Sequence, residues 1–167
     1  MIQRSRFLKE AQAIAASRPA YRKGGSGKDG TCDCIGLIIG AIRRAGGKWP
    51  GIHGSNWAAR YAVRDLAPLR SASGLRIGDL VFKSRAPGVK GYDLPGRYRS
   101  HPDRNDYYHV GIVLSVSPLR ILHMTAPRPK VDTRLGAWSH RGWCKLIEKE
   151  NGGSPKAAAA KERKSSP

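Results

Sequence analysis

The stretch from Cys34 to Ala45 constrains the fold more than any other part of the chain. Leu37, Ile38, Ile39, Ala41 and Ile42 run around most of a helix's circumference, and Gly46-Gly47 ends the run. A helix that is apolar on nearly every side has to be covered on nearly every side, so this reads as a buried central helix. Asp33, directly before it, is a good N-cap residue and places Cys34 in the first turn.

The other elements arrange themselves around it. Residues 4–17 read as an amphipathic helix with Phe7, Leu8, Ala11, Ile14 and Ala15 at helical spacing, stopped by Arg18-Pro19. A glycine-rich turn spans Lys23 to Gly30, and a short helix is expected from Asn56 to Val63. The second half changes period. Leu75–Lys83, Tyr107–Ser115, Arg120–Thr125 and Trp143–Lys149 read as strands, with Ser115–Arg120 as a hairpin turn. Helices first and strands after give an α+β fold, a helical layer on an antiparallel sheet. Residues 1–150 form one domain, with a polar insertion at 84–108 that reads as either a solvated loop or a lid. Residues 151–167 read as a basic disordered tail.

Charge narrows the partners. The chain of 167 residues carries a net +19, and the tail contributes only +3 of it. A field of that size attracts polyanions: nucleic acid, a membrane surface or a bacterial wall. No helix-turn-helix, zinc-finger or RNA-binding pattern is present, so nucleic acid is not expected. No stretch is long and apolar enough to span a membrane, and the charged first ten residues lack the core of a signal peptide. Three cysteines are too few for a disulfide scaffold.

Three pieces carry chemistry. A thiol in the first turn of a helix feels the positive end of its dipole, which is expected to lower its pKa from about 8.5. Amides at the same helix end can stabilise an oxyanion. His109 and His123 fall on consecutive predicted strands; a turn centred near residue 116 pairs them directly and on one face. One imidazole can then take the thiol proton while the other orients it. Each residue also has a bland reading, as a small core cysteine or a structural histidine. A zinc site from Cys32, Cys34, His109 and His123 is disfavoured, because Cys-x-Cys is not the usual ligand spacing. Cys32 and Cys144 read as bystanders.

Over residues 19–127, and more loosely to 149, the sequence resembles the NlpC/P60 cysteine peptidases, papain-like enzymes that cut peptidoglycan stem peptides. Tyr21-Arg22-Lys23-Gly24-Gly25 is similar to the family's Tyr-x-Trp-Gly-Gly, and Asp33-Cys34-Ile35-Gly36-Leu37 to its Asp-Cys-Ser-Gly-Leu. Gly78-Asp79-Leu80-Val81-Phe82, His109-Val110-Gly111-Ile112 and Ile121-Leu122-His123 follow in the family's order. Lys23 stands where the family has Trp, and Ile35 where it has Ser.

The resemblance implies Cys34 as nucleophile, His109 as general base and His123 as its orienter. Tyr21, Asp33 and Ile35 are placed around substrate and oxyanion. No cofactor or metal is expected. The implied partners are peptidoglycan and anionic wall polymers, and a phage lysin or tail-associated wall peptidase fits a chain without its own export signal. Two other classes stay open: a papain-like amidase or acyltransferase on a non-wall substrate, and a basic nucleic-acid-binding protein.

Overall fold

Residues 1–149 are described in the computed structural model, and the predicted tail at 151–167 lies outside them. The apolar run folds as α2 (Cys34–Arg44), in which every residue from Cys34 to Ile42 is buried. Helix α1 (Arg4–Ala16) lies against it through Phe7, Ala11 and Ile14, the i, i+4, i+7 stripe of the sequence. Between them a glycine loop closes on a parallel pair of short strands, β1 (Ala20–Tyr21) and β2 (Thr31–Cys32).

The sheet has six strands in the order β3-β8-β4-β5-β6-β7. They are β3 (Val63–Pro68), β4 (Leu80–Arg85), β5 (Asp106–Val116), β6 (Leu119–Met124), β7 (Pro129–Asp132) and β8 (Trp138–Cys144), all paired antiparallel. Helix α2 packs on β5 and β6. Alternation along the strands separates two cores. Leu80, Phe82, Val110, Ile112, Leu122 and Met124 join α1 and α2 in the main core. Val81, Val113, Ile121 and Trp138 face the other way and pack with Leu75 in a smaller cluster.

Several boundaries differ from the expectations. The short helix becomes α3 (Ser55–Trp57), which widens into a π-helical turn (Ala58–Ala62) before β3 begins. The last long strand is Trp138–Cys144 rather than Trp143–Lys149. The ends of the predicted insertion are strand, so the connection between β4 and β5 is residues 86–105. That connection is anchored by Arg60, whose guanidinium donates to the carbonyls of Asp103 (2.7 Å) and Asn105 (2.8 Å) and lies 4.5 Å from the Tyr98 ring centre. A cation held by carbonyls and an aromatic face ties the loop to the π-helical turn.

Candidate active site

The entrance to α2 is built around Asp33. Its carboxylate accepts from the Gly36 amide (2.7 Å), as an N-cap should, and also from the Gly24 amide (2.7 Å) across the loop. His53 brings Nε2 to 2.9 Å from both carboxylate oxygens. Burial alone would raise the Asp33 pKa, but the hydrogen bonds from His53, Gly24 and Gly36 outweigh it and hold the carboxyl below its ordinary value. Asp33 was expected near the oxyanion. Its oxygens are taken up by the loop, the helix and His53, and it lines the cleft beside Cys34.

The helix can approach this loop because of two glycines one turn apart. A Cβ at Gly36 would sit 1.7 Å from the Gly25 carbonyl oxygen, and one at Gly40 would sit 2.2 Å from that of Ser26. The notch they form seats the loop main chain against α2.

Cys34 is 8% exposed and meets β5 through hydrogen bonding with the main chain of Val110, the residue after His109. Burial pushes its thiol up to about 12, and the neighbouring Asp33 carboxylate adds to this; amides of Val110, Ile35 and Cys34 itself pull the other way without prevailing. The expected lowering by the helix dipole is therefore overturned. The terminal charge of a helix is a partial one, and desolvation of a thiolate in this site exceeds it.

Beside Cys34 opens a cleft of about 430 Å³, lined by Tyr21, Lys23, Asp33, Ile35, His53 and Tyr108 among others. Tyr21 is held by its amide on the Pro127 carbonyl (3.2 Å), and the residue stays 40% exposed. Burial, then Cys34 and Asp33, raise its hydroxyl pKa. The Ile35 side chain is 2% exposed and joins the main core, while its amide is directed at the Cys34 sulfur.

His109 and His123 are brought together, with Nε2 of the first 2.8 Å from Nδ1 of the second. They are not directly paired. The register runs Ile112↔Leu122 and Val113↔Ile121, with a bulge between Val113 and Ser115. Continued, it sets His123 opposite Gly111 and diagonal to His109. An offset of two keeps both rings on one face. That face is the one bearing Trp138, whose ring stacks on His109 at 5.5 Å and meets His123 edge-on at 5.2 Å. Gly111 leaves room for it, since a Cβ there would lie 2.9 Å from the indole. The imidazoles thus lie on the side of the smaller cluster and the thiol on the α2 side, and they flank adjacent residues of β5, His109 and Val110.

Burial, with the neighbouring His123 and Lys83 charges adding to it, pushes His109 down to about 4. Burial also lowers His123, although Asp132 opposes this. Asp132 on β7 places Oδ1 3.0 Å from His123 Nε2, and its Oδ2 accepts from Trp138 Nε1 at 3.0 Å. Cys32 and Cys144 are fully buried, and all three cysteines are free. Among the described residues no group of three or more His, Cys, Asp or Glu could hold a metal ion.

Two site residues escaped the sequence reading. Asp132 lies on a four-residue strand that begins with proline, and no pattern announced it. His53 sits in a loop, and only the fold brings it to Asp33. A histidine flanked by glycines at 51 and 54 was the sole local sign.

No protein-family profile matches the sequence, and no curated protein matches it either. Solved structures do. A Staphylococcus aureus protein described as similar to a lipoprotein of the NLP/P60 family superposes with a TM-score of 0.53 at 18% identity, over 87% of this chain and 41% of that one. NlpC2 from Trichomonas vaginalis gives 0.53 at 14% identity, over 83% of this chain and 46% of that one. The chain therefore spans less than half the length of either neighbour. The likeness establishes the fold: a mixed α+β domain of the NlpC/P60 type.

Proposed function

We propose that this chain, which has the NlpC/P60 fold, is a papain-like cysteine hydrolase that cuts amide bonds in the stem peptide of bacterial peptidoglycan. The observation that carries the reading is the convergence on one segment of β5. The Cys34 thiol meets the main chain at Val110, and the preceding residue, His109, belongs to a hydrogen-bonded histidine pair. The wall substrate is supported by the fold likeness and by the net +19, which favours an anionic polymer. The reading places the enzyme at the bacterial wall, reached from a phage particle or after lysis-protein release.

In the resting site the thiol and His109 are both neutral, because burial disfavours either charge. His109 uses Nε2 for His123, so Nδ1 is its nitrogen for the thiol. The thiol proton passes to Nδ1 as sulfur attacks the amide carbon and the S–C bond forms. The Cys34 and Ile35 amides at the start of α2 are the donors available to the developing oxyanion. The imidazolium gives its proton to the leaving amine as the C–N bond breaks. Water then adds to the thioester with His109 as base, releasing the carboxylic acid and restoring the thiol. Trp138 stacked on His109 limits water around the imidazole pair.

Purified sacculi test this, with wild type and Cys34→Ala compared by turbidity and mass spectrometry of released fragments. Release of stem-peptide fragments by wild type alone supports the reading, and their masses name the bond. Equal clearing by both proteins would remove Cys34 from the mechanism.

A further inference from the structure

We propose that Asp132 is a positioning residue of this site. It fixes which nitrogens of His123 and His109 carry hydrogen, and so leaves His109 Nδ1 as a lone pair for the thiol. The inference deepens the hydrolase reading above and rests on it for its catalytic meaning.

The argument follows the hydrogens inward from the edge of the sheet. An ionised carboxylate only accepts. Trp138 Nε1 only donates, and it is bonded to Oδ2, which orients the carboxylate and turns Oδ1 toward His123 Nε2 at 3.0 Å. That contact does not satisfy hydrogen-bond geometry and Nε2 has no other partner among the described residues, so its force is electrostatic: negative charge beside the buried Nε2 favours hydrogen there. A neutral His123 then has a lone pair at Nδ1, which lies 2.8 Å from His109 Nε2. Two lone pairs cannot face each other at that distance, so His109 Nε2 carries the hydrogen. A neutral His109 is left with an unprotonated Nδ1.

Among the described residues, the other charged groups acting on the pair do not make this choice. Lys83 from β4 sits 4.8 Å over the Trp138 ring, and Lys130 from β7 lies 4.0 Å from Asp132 Oδ1. Both are cations that disfavour a charged imidazole without selecting a tautomer. Unaided, the two histidines could share their hydrogen in either sense.

Asp132→Asn inverts the relay without changing shape. The indole N–H still needs an acceptor, so the amide oxygen takes that side and the NH2 turns to His123 Nε2. Nε2 must then accept, Nδ1 of His123 donates, Nε2 of His109 accepts, and Nδ1 of His109 carries hydrogen. In serine hydrolases the comparable exchange keeps the geometry and lowers kcat by about 10⁴ through the wrong tautomer.

The test is ring ¹⁵N NMR of the full chain with labelled histidine at neutral pH, signals being assigned by loss in single His→Gln variants. Wild type should show His109 protonated at Nε2 and bare at Nδ1, and Asp132→Asn should show the reverse. On sacculi, Asp132→Asn should lower kcat by at least about 10²-fold with apparent KM within about twofold. Adding Trp138→Phe frees the asparagine to rotate and should restore much of the wild-type pattern. A wild-type His109 protonated at Nδ1 would overturn the proposal, as would an Asp132→Asn spectrum identical to wild type. If Asp132→Asn fails to fold, the wild-type spectrum alone decides. If wild type clears no wall but shows the expected hydrogens, the peptidase reading fails while the assignment to Asp132 stands.

Discussion

Cys34 and His109 are held neutral by the same cause, removal from water, and that sets how each should respond to pH. With the thiol pushed up to about 12, Cys34 lacks the preformed thiolate of an ion-paired cysteine enzyme. Alkylation by iodoacetamide, followed by mass spectrometry of the Cys34 peptide, should be slow at pH 7 and climb steadily above pH 8. A fast plateau beginning near pH 5 would contradict this. His109 acts on stability. Its folded pKa of about 4 lies below the ordinary 6.5, so between these values the unfolded chain binds more protons. The stabilisation is complete above about pH 6.5 and is lost as pH falls toward 4. Urea midpoints should drop over that window, and His109→Gln should flatten the slope. An unchanged slope in the variant would assign the effect to other groups.

At the scale of elements, the packing of α2 on its own preceding loop carries the site. Gly36→Ala should destabilise by about 3 kcal/mol or more, because the added methyl meets main chain rather than a flexible side chain. Gly46→Ala has open space around it and only its positive φ of 93° to strain, so it should cost about 1 kcal/mol. Chemical denaturation of the two variants checks the order, and equal costs would argue against the notch. These elements also show what the sequence could disclose. Helix α2 was legible because its apolar circumference has one interpretation. The β5–β6 hairpin was legible in its faces but not in its register, since its turn centres between Ser117 and Pro118 rather than near 116 and the bulge after Val113 shifts the pairing by one residue. Strands β3 and β7 were not legible. The first bulges between Arg64 and Ala67, and the second is short, proline-led and at the sheet edge. Cys34, His109 and His123 were therefore readable as candidates from local pattern, and the fold brings the two histidines together. Asp132 and His53 were hidden, because each matters only through a partner that the fold supplies.

For the whole molecule, the excess positive charge is a property of the folded body. Only +3 of the +19 falls in residues 151–167. Lys28, Arg43 and Arg44 border one surface cavity, and Lys23 lines the cleft beside Cys34. If the proposed wall substrate is right, binding to anionic walls should weaken as NaCl rises from about 0.05 to about 0.5 M, since screening shortens the reach of exposed charges. Sedimentation of the protein with sacculi across that range measures it, and salt-independent binding would remove charge from the account.

The order in which the parts are made has a consequence of its own. The thiol lies in the first quarter of the chain, whereas the histidine pair and the aspartate behind it come from the hairpin and edge strand near the other end. During synthesis a nascent chain holds its sulfur long before any base exists to activate it. Under the reading proposed here, activity requires every layer of the fold to be in place. A turnover assay would then double as a census of fully matured molecules, blind to truncated and half-assembled ones.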